Sequence, residues 1–283
     1  MNLSGETAAP AFPVGAAHII ILILILLITG CDGKANPLPQ THSEEIQNEA
    51  VISNNNKTFQ MISRVYTPSI PILMYHSIGL KQRNSLFVPP KVFEEQMEHL
   101  KKAGYHTLSF KDLKKWKTGE AIAFKPILLT FDDGYLDNFT IVYPILKRLQ
   151  MKATIFVTSD FIGHSNHLSW GQIHEMEQSG YIEIGVHTRH HVDLTKQSPV
   201  KLRDEIMGAK HRLDKKLGCE TIVFAYPSGR YNHNVVKAVK RAGFDFAVTT
   251  DSGQALQKEG YLTLHRIRVH GKQSLAKFVQ KFP

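Results

Sequence analysis

Ile127-Leu128-Leu129-Thr130-Phe131-Asp132-Asp133-Gly134-Tyr135 decides the fold: an apolar run ends abruptly in two adjacent carboxylates and a glycine. The apolar and β-branched residues after Pro126 read as a strand buried on both faces. In α/β folds the ends of such strands are where sites are built. Two neighbouring carboxylates there repel each other unless a cation or a proton lies between them. Successive side chains on a strand point to opposite faces, so Asp132 and Asp133 are expected to have different tasks. Gly134 lets the backbone turn without steric cost. Taken alone, Asp-Asp-Gly reads equally well as a polar turn capping the next helix.

A second cluster changes that balance. Ile182-Glu183-Ile184-Gly185-Val186-His187 reads as another strand, and it runs into Thr188-Arg189-His190-His191. His187 and His191 are four apart, a spacing that places two imidazoles on one face of a helical turn. Two histidines and one carboxylate form a common ligand set for a catalytic metal that keeps open positions for water.

Outward from these two strands the chain alternates. Pro71–His76 is a short apolar strand ending in a polar pair. A helix is expected over Pro90–Lys102, with Val92, Phe93, Met97 and Leu100 on one face, stopped by Gly104. Tyr105–Leu108 reads as a strand, Lys111–Lys117 as a short helix, and Leu136–Leu149 as the helix after the central strand. Then come Ala153–Val157 (strand), Trp170–Gln178 (helix), the histidine strand, and a long helix over Pro199–Leu217 with Leu202, Ile206, Ala209 and Leu213 in phase. Thr221–Tyr226 (strand), Asn234–Arg241 (helix), Phe246–Thr249 (strand), Leu262–Val269 (extended) and Leu275–Gln280 (helix) complete the chain. Sustained alternation implies parallel strands with helical crossovers, as an open sheet or a barrel. Candidate functional residues at several strand ends favour a barrel with its site at one mouth.

Thr130-Phe131-Asp132-Asp133-Gly134 followed by His187-Thr188-Arg189-His190-His191 resembles the first two motifs of the polysaccharide deacetylases of carbohydrate esterase family 4, a similarity covering about residues 70–283. The resemblance implies a distorted (β/α)7 barrel as a single catalytic domain. It implies that Asp133, His187 and His191 hold a divalent metal and that Asp132 is the general base. Zn²⁺ is the first expectation, and Co²⁺, Ni²⁺ or Mn²⁺ suit the same donors. Hydrolysis of an N-acetyl group further needs donors for the oxyanion and an acid for the leaving amine. Tyr226-Pro227-Ser228-Gly229 resembles the third family motif, which makes the Ser228 N–H the oxyanion donor, although Pro-Ser-Gly also reads as a plain tight turn. The common family form has an arginine two residues before that proline, orienting the base. This chain has Ala225 there, so Arg230 or Arg266 is left to orient Asp132. For the acid, Leu262-Thr263-Leu264-His265 matches the usual late histidine. Met74-Tyr75-His76-Ser77 matches a branch of poly-N-acetylglucosamine deacetylases that takes it from an early strand. His76 is preferred over His265. His190 is expected not to bind metal, and His164, His167, His174 and His270 are given no role.

The 283 residues, 42% hydrophobic and 21% charged, suit a sizeable globular core. The net charge of +9 is read as attraction to an anionic surface. The basic residues are scattered along amphipathic helices and no nucleic-acid motif is present, so nucleic acid is not an expected partner. Residues 16–30 form an apolar run of signal-peptide length, short for a spanning helix. Ile28-Thr29-Gly30-Cys31 resembles a bacterial lipoprotein cleavage box. The first 18 residues hold no Lys or Arg, so 1–31 is either a lipoprotein signal or a retained anchor, and either one places the domain outside the cell at a membrane. Residues 32–66 read as a flexible linker and 67–283 as the deacetylase domain. The other cysteine, Cys219, reads as a small buried residue. The expected activity is removal of acetyl groups from N-acetylglucosamine units of an extracellular or cell-wall polysaccharide. Its rivals are a catalytically weak or inactive carbohydrate-binding protein on the same fold, kept open by Ala225, and an O-acetyl esterase.

Overall fold

The computed structural model describes residues 64–65, 69–80 and 85–282. The signal or anchor segment, Cys31 and nearly all of the expected linker lie outside the described residues. Arg64–Val65, inside the stretch expected to be linker, pairs antiparallel with Ile122–Ala123. No helix among the described residues is long and apolar enough to cross a membrane.

Eight parallel strands carry the fold: β1 (Ile72–Tyr75), β2 (His106–Leu108), β3 (Pro126–Phe131), β4 (Ala153–Val157), β5 (Ile182–Val186), β6 (Val223–Ala225), β7 (Phe246–Ser252) and β8 (Leu264–Arg268). Seven of them close a ring in the order β1-β8-β7-β6-β5-β4-β3, sealed by β1 against β3. The eighth, β2, pairs with Pro126–Leu128 at the start of β3, while β4 pairs with Thr130–Phe131 near its end. Leu128 is also paired with Ile72, and Thr130 with Met74, on the other side. So β2 and β4 share one side of β3, and this wedge is the distortion in the (β/α)7 barrel. The helices are α1 (Pro90–Lys102), α2 (Phe110–Lys117), α3 (Tyr143–Leu149), α4 (Trp170–Gln178), α5 (Pro199–Arg203), α6 (Ala209–Leu217), α7 (His233–Arg241) and α8 (Leu275–Val279).

The two-residue period of the strands sorts their side chains into two cores. Leu73, Tyr75, Ile127, Leu129, Phe131, Ile155, Ile184 and Phe224 face outward and pack with α1, α3, α4, α6 and α7 residues such as Phe93, Leu146, Ile173, Leu213 and Val239. Ile72, Leu128, Phe156, Val223, Ala225, Val248 and Leu264 fill the barrel. Each such large side chain contributes about 1.5–3 kcal/mol when fully buried. Helix α2 belongs to this inner core: its Phe110, Leu113 and Trp116 close the end where the strands begin. Glu183, near the start of β5, accepts from the backbone N–H groups of Phe110 (2.6 Å) and Lys111 (3.1 Å) at the α2 N-terminus, where an anion is favoured. The opposite end stays free for chemistry.

Two expected helices are interrupted. The segment after β3 begins as a π-turn over Asn138–Val142 before α3, which carries Pro144 in its first turn; proline has no N–H for an ordinary helical bond. The expected helix over Pro199–Leu217 is α5 and α6 joined by a π-turn, Asp204–Gly208.

Candidate active site and metal centre

The ends of β1, β3, β5 and β6 lie at one mouth because the strands are parallel. Inward alternation along β3 runs Leu128, Thr130, Asp132, and along β5 it runs Glu183, Gly185, His187. Asp132 and His187 therefore extend the barrel's own inner rows and are buried. Gly185 is required in that row, because a Cβ there would lie 2.5 Å from the Phe156 ring. Asp133 escapes strand geometry. Its φ is +75° and Gly134 follows at +71°, so the chain turns over the rim and the two carboxylates diverge.

Asp133, His187 and His191 converge. Each offers a donor atom, and these atoms lie within 4.8 Å of one another. Asp133 Oδ1 is 3.5 Å from Nε2 of both His187 and His191. Donors about 2.0–2.2 Å from a tetrahedral ion lie about 3.3–3.6 Å apart, so the set fits a small divalent cation. The Nδ1 of His187 is 2.8 Å from the Ala225 carbonyl. A carbonyl only accepts, so Nδ1 carries the hydrogen and the Nε2 lone pair is left for the ion. The His187–His191 segment is not helical as the spacing suggested. It is a tight turn with positive φ at Thr188 (+65°) and His191 (+54°), and the turn itself folds the two rings to 4.9 Å between centroids. His190 faces away: its two ring nitrogens meet Glu205 (2.8 Å) and Asp160 (3.2 Å).

Asp132 is held differently. Arg266, reaching inward from β8, donates to both its oxygens, Nη1 to Oδ1 and Nη2 to Oδ2, each at 2.8 Å. The same guanidinium donates to Thr130 Oγ1 (3.1 Å) and the Thr249 carbonyl (2.7 Å). Burial pushes the Asp132 carboxyl up, but the Arg266 charge and hydrogen bonds outweigh it and hold it well below the usual carboxylate range. Arg266 therefore orients Asp132. Arg230 instead pairs with Asp193 at the surface (2.8 Å).

His76, just past β1, puts Nε2 3.9 Å from Asp132 Oδ2. Burial holds this imidazole below its ordinary pKa, against the raising pull of Asp132 and Asp133. Its backbone is pinned by Asn138, whose amide donates to the His76 carbonyl (3.1 Å). The next residue, Ser77, donates to Asp137. His265 lies on the outward row between inward Leu264 and Arg266. Its ring is near Glu259 (3.9 Å) and lies over Gly253. Ser228 is exposed with φ +54°, three residues beyond the carbonyl that holds His187.

Tyr135 had no role in the motif reading. Its hydroxyl is hydrogen-bonded to Asp133, and burial together with that negative charge pushes the phenol far above its ordinary pKa. The ring stacks on His167 (5.5 Å between centroids), which gives that histidine a structural place beside the rim. Only its position after Gly134 marks Tyr135 in the sequence.

The comparisons with known proteins agree with this geometry. The sequence profile of the family described as polysaccharide deacetylase matches residues 119–247. YxkH of Bacillus subtilis, a protein whose name places it with polysaccharide deacetylases, is 38% identical over 258 residues, spanning 89% of this chain and 91% of that protein. The Streptococcus pyogenes deacetylase PplD, solved in complex with acetate, is 36% identical with a TM-score of 0.73, over 77% of this chain and all (100%) of that one. A poly-β-1,6-N-acetyl-D-glucosamine N-deacetylase of Staphylococcus epidermidis is 27% identical over 184 residues, 60% of this chain and 64% of that protein. Barrel, motifs and relatives together place this chain in the polysaccharide deacetylase family.

Proposed function

We propose that the protein is a divalent-metal-dependent N-deacetylase acting on N-acetylglucosamine units of an extracellular or cell-wall polysaccharide, and that its N-terminal segment, through lipid on Cys31 or as an anchor, holds it at the outer face of a bacterial membrane. The observation that carries the reading is the division of labour at one barrel mouth. Asp133, His187 and His191 face one another as a ligand set, while Asp132 is locked by Arg266 and has His76 at 3.9 Å. Zn²⁺ is the first choice, with Co²⁺, Ni²⁺ and Mn²⁺ compatible. A divalent ion held there supplies the Lewis acidity that makes water nucleophilic at neutral pH and polarises the acetyl carbonyl.

The chain's own groups supply the rest. Asp132, kept ionised and fixed in direction by Arg266, takes the proton from the attacking water. As the water oxygen bonds to the acetyl carbon, negative charge develops on the former carbonyl oxygen, and the Ser228 N–H donates to it. The proton taken by Asp132 passes by way of His76, 3.9 Å away, to the amine nitrogen as the C–N bond breaks, leaving acetic acid, released as acetate, and a free glucosamine amine. Ala225 kept an inactive binder open, but a guanidinium on Asp132 from another strand supports catalysis.

The test is acetate release by the full-length protein from β-1,6- and β-1,4-linked N-acetylglucosamine oligomers, metal-stripped and then refilled with Zn²⁺ or Co²⁺, beside an O-acetylated sugar. Metal-dependent release from one N-acetylated linkage is expected. Release only from the O-acetyl ester, or none from any substrate with metal bound, refutes the proposal.

A further inference from the structure

The turn that brings His187 and His191 together is not self-supporting. Two of its five residues, Thr188 and His191, have positive φ, a conformation that side chains disfavour. Its backbone is instead tied on both sides. The Thr188 and Arg189 carbonyls accept from Ser159 N–H (3.0 Å) and Asp160 N–H (3.1 Å) in the loop after β4. The N–H of His191 turns inward onto Thr188 Oγ1 (3.0 Å). The N–H groups of Arg189 and His190 both donate to one oxygen of Glu205, each at 3.0 Å.

Glu205 is 0% exposed, and its other oxygen accepts from His190 Nδ1 (2.8 Å) and pairs with Lys201 (3.1 Å). It sits in the π-turn Asp204–Gly208. A π-turn is a device that recurs at functional positions, and here sequence neighbours Asp204 and Glu205 both reach the same turn. Asp204 accepts from Arg189 Nη1 (2.8 Å), whose guanidinium continues to Asp160 (2.8 Å). Gly208 closes the fit: a Cβ there would lie 2.9 Å from Asp204 Oδ1 and 3.2 Å from Arg189 Cδ. A fully buried carboxylate, a π-turn and a close-fitting glycine thus converge on five residues whose two ends are the candidate ligands.

We propose that Glu205 is the positioning residue of the metal centre, holding the 187–191 turn in the shape that aims both histidines at Asp133 and thereby setting metal affinity. The proposal rests on the reading of Asp133, His187 and His191 as the metal set. Glu205 touches neither ion nor substrate, so its loss weakens binding while chemistry at saturating metal survives.

The probe is Co²⁺ titrated into metal-stripped full-length protein against a chromogenic chelator. Glu205→Met keeps the buried volume and removes both acceptor oxygens; it should weaken Co²⁺ binding about 10- to 100-fold, the range typical of groups that orient metal ligands. Acetate release should return to near the wild-type rate at saturating Co²⁺. Glu205→Asp keeps the charge but withdraws it by one methylene, and should weaken binding several-fold, which decides the matter even if the methionine variant does not fold. Wild-type affinity in Glu205→Asp, or in a folded Glu205→Met, overturns the proposal, as does a rate that saturating Co²⁺ fails to restore. His187→Ala separates the two layers. If it binds Co²⁺ as tightly as wild type, the metal assignment itself is wrong. If it abolishes binding while the Glu205 variants bind normally, only the positioning role falls.

Discussion

Replacing Arg266 by methionine removes the guanidinium that holds Asp132 and leaves a buried carboxylate without its principal counter-charge. Arg266 is 0% and Asp132 3% exposed, and two bonds of 2.8 Å join them. Removing one partner of so buried a pair costs about 3–5 kcal/mol. For a domain of this size each kcal/mol lowers the melting temperature by about 2–4 °C, so a fall on the order of 10 °C is expected at pH 7. The pH dependence carries the sharper information. In the wild type the Asp132 carboxyl lies below its unfolded value of about 3.9. The pair's contribution is therefore complete above about pH 4 and disappears as the pH falls through the folded value. In the variant burial, the largest influence on this group, acts without Arg266 to oppose it and lifts the carboxyl above its unfolded value. The cost of the substitution then grows as pH rises above about 4 and shrinks in acid. Melting curves of the metal-free proteins between pH 4 and pH 8 should show the gap from wild type closing toward pH 4. The acid limb of kcat/KM for acetate release should move toward neutrality, because the base must be ionised to act. A gap that is the same at every pH, with an unmoved acid limb, would refute the assignment of Arg266 as the group that sets the state of Asp132.

His76→Asn should lower kcat for acetate release about 10²- to 10⁴-fold and leave Co²⁺ affinity within a few-fold of wild type, whereas His265→Ala should do neither; equal losses in the two variants would remove His76 from its role. Burial raises the Glu183 carboxyl to about 7, above its unfolded value, so the stability linked to this group is present in acid and lost as pH rises from about 4 through 7. Glu183→Gln, read by thermal melts, should abolish that decline. Gly134→Ala should cost about 1–3 kcal/mol, since φ is +71° and the added Cβ would lie 2.9 Å from Val157 Cγ1; an unchanged melting temperature would show that the rim turn tolerates a side chain.

The barrel was legible because its elements are locally consistent. The six buried residues of β3 and the five of β5 are apolar except for Thr130 and Glu183, and α1 carries its periodic face between Pro90 and Gly104. What escaped were features set by contacts distant in sequence. The wedge of β2 between β3 and β4 depends on which strand edges meet, and no residue pattern announces it. The π-turns at Asn138–Val142 and Asp204–Gly208 preserve apolar periodicity well enough to pass for plain helix. The two-histidine spacing correctly paired His187 with His191 for the wrong local reason: a helical turn and a turn with two positive-φ residues both return a side chain to its starting face after four residues. A residue pattern records that return but not the backbone route, and the route is what makes Glu205 necessary.

The place of the orienting arginine shows the same limit from the other side. A motif read along the chain looks for that residue two positions before Pro227 and finds Ala225. Ala225 does face into the barrel, among Phe156, Val223 and Val248, so the expected position exists and points the expected way. Yet an inward row of a closed barrel is shared by all its strands, and a guanidinium reaching the middle from β8 can meet the same carboxylate as one from β6. Arg266 does so across 134 residues of sequence, and its Nε anchor on the Thr249 carbonyl comes from β7, the strand lying between β6 and β8 in the ring. The backbone carbonyl of Ala225 fixes the His187 ring. The hold on Asp132 and the hold on the His187 ring thus come from two different strands, β8 and β6, and both end at the same mouth.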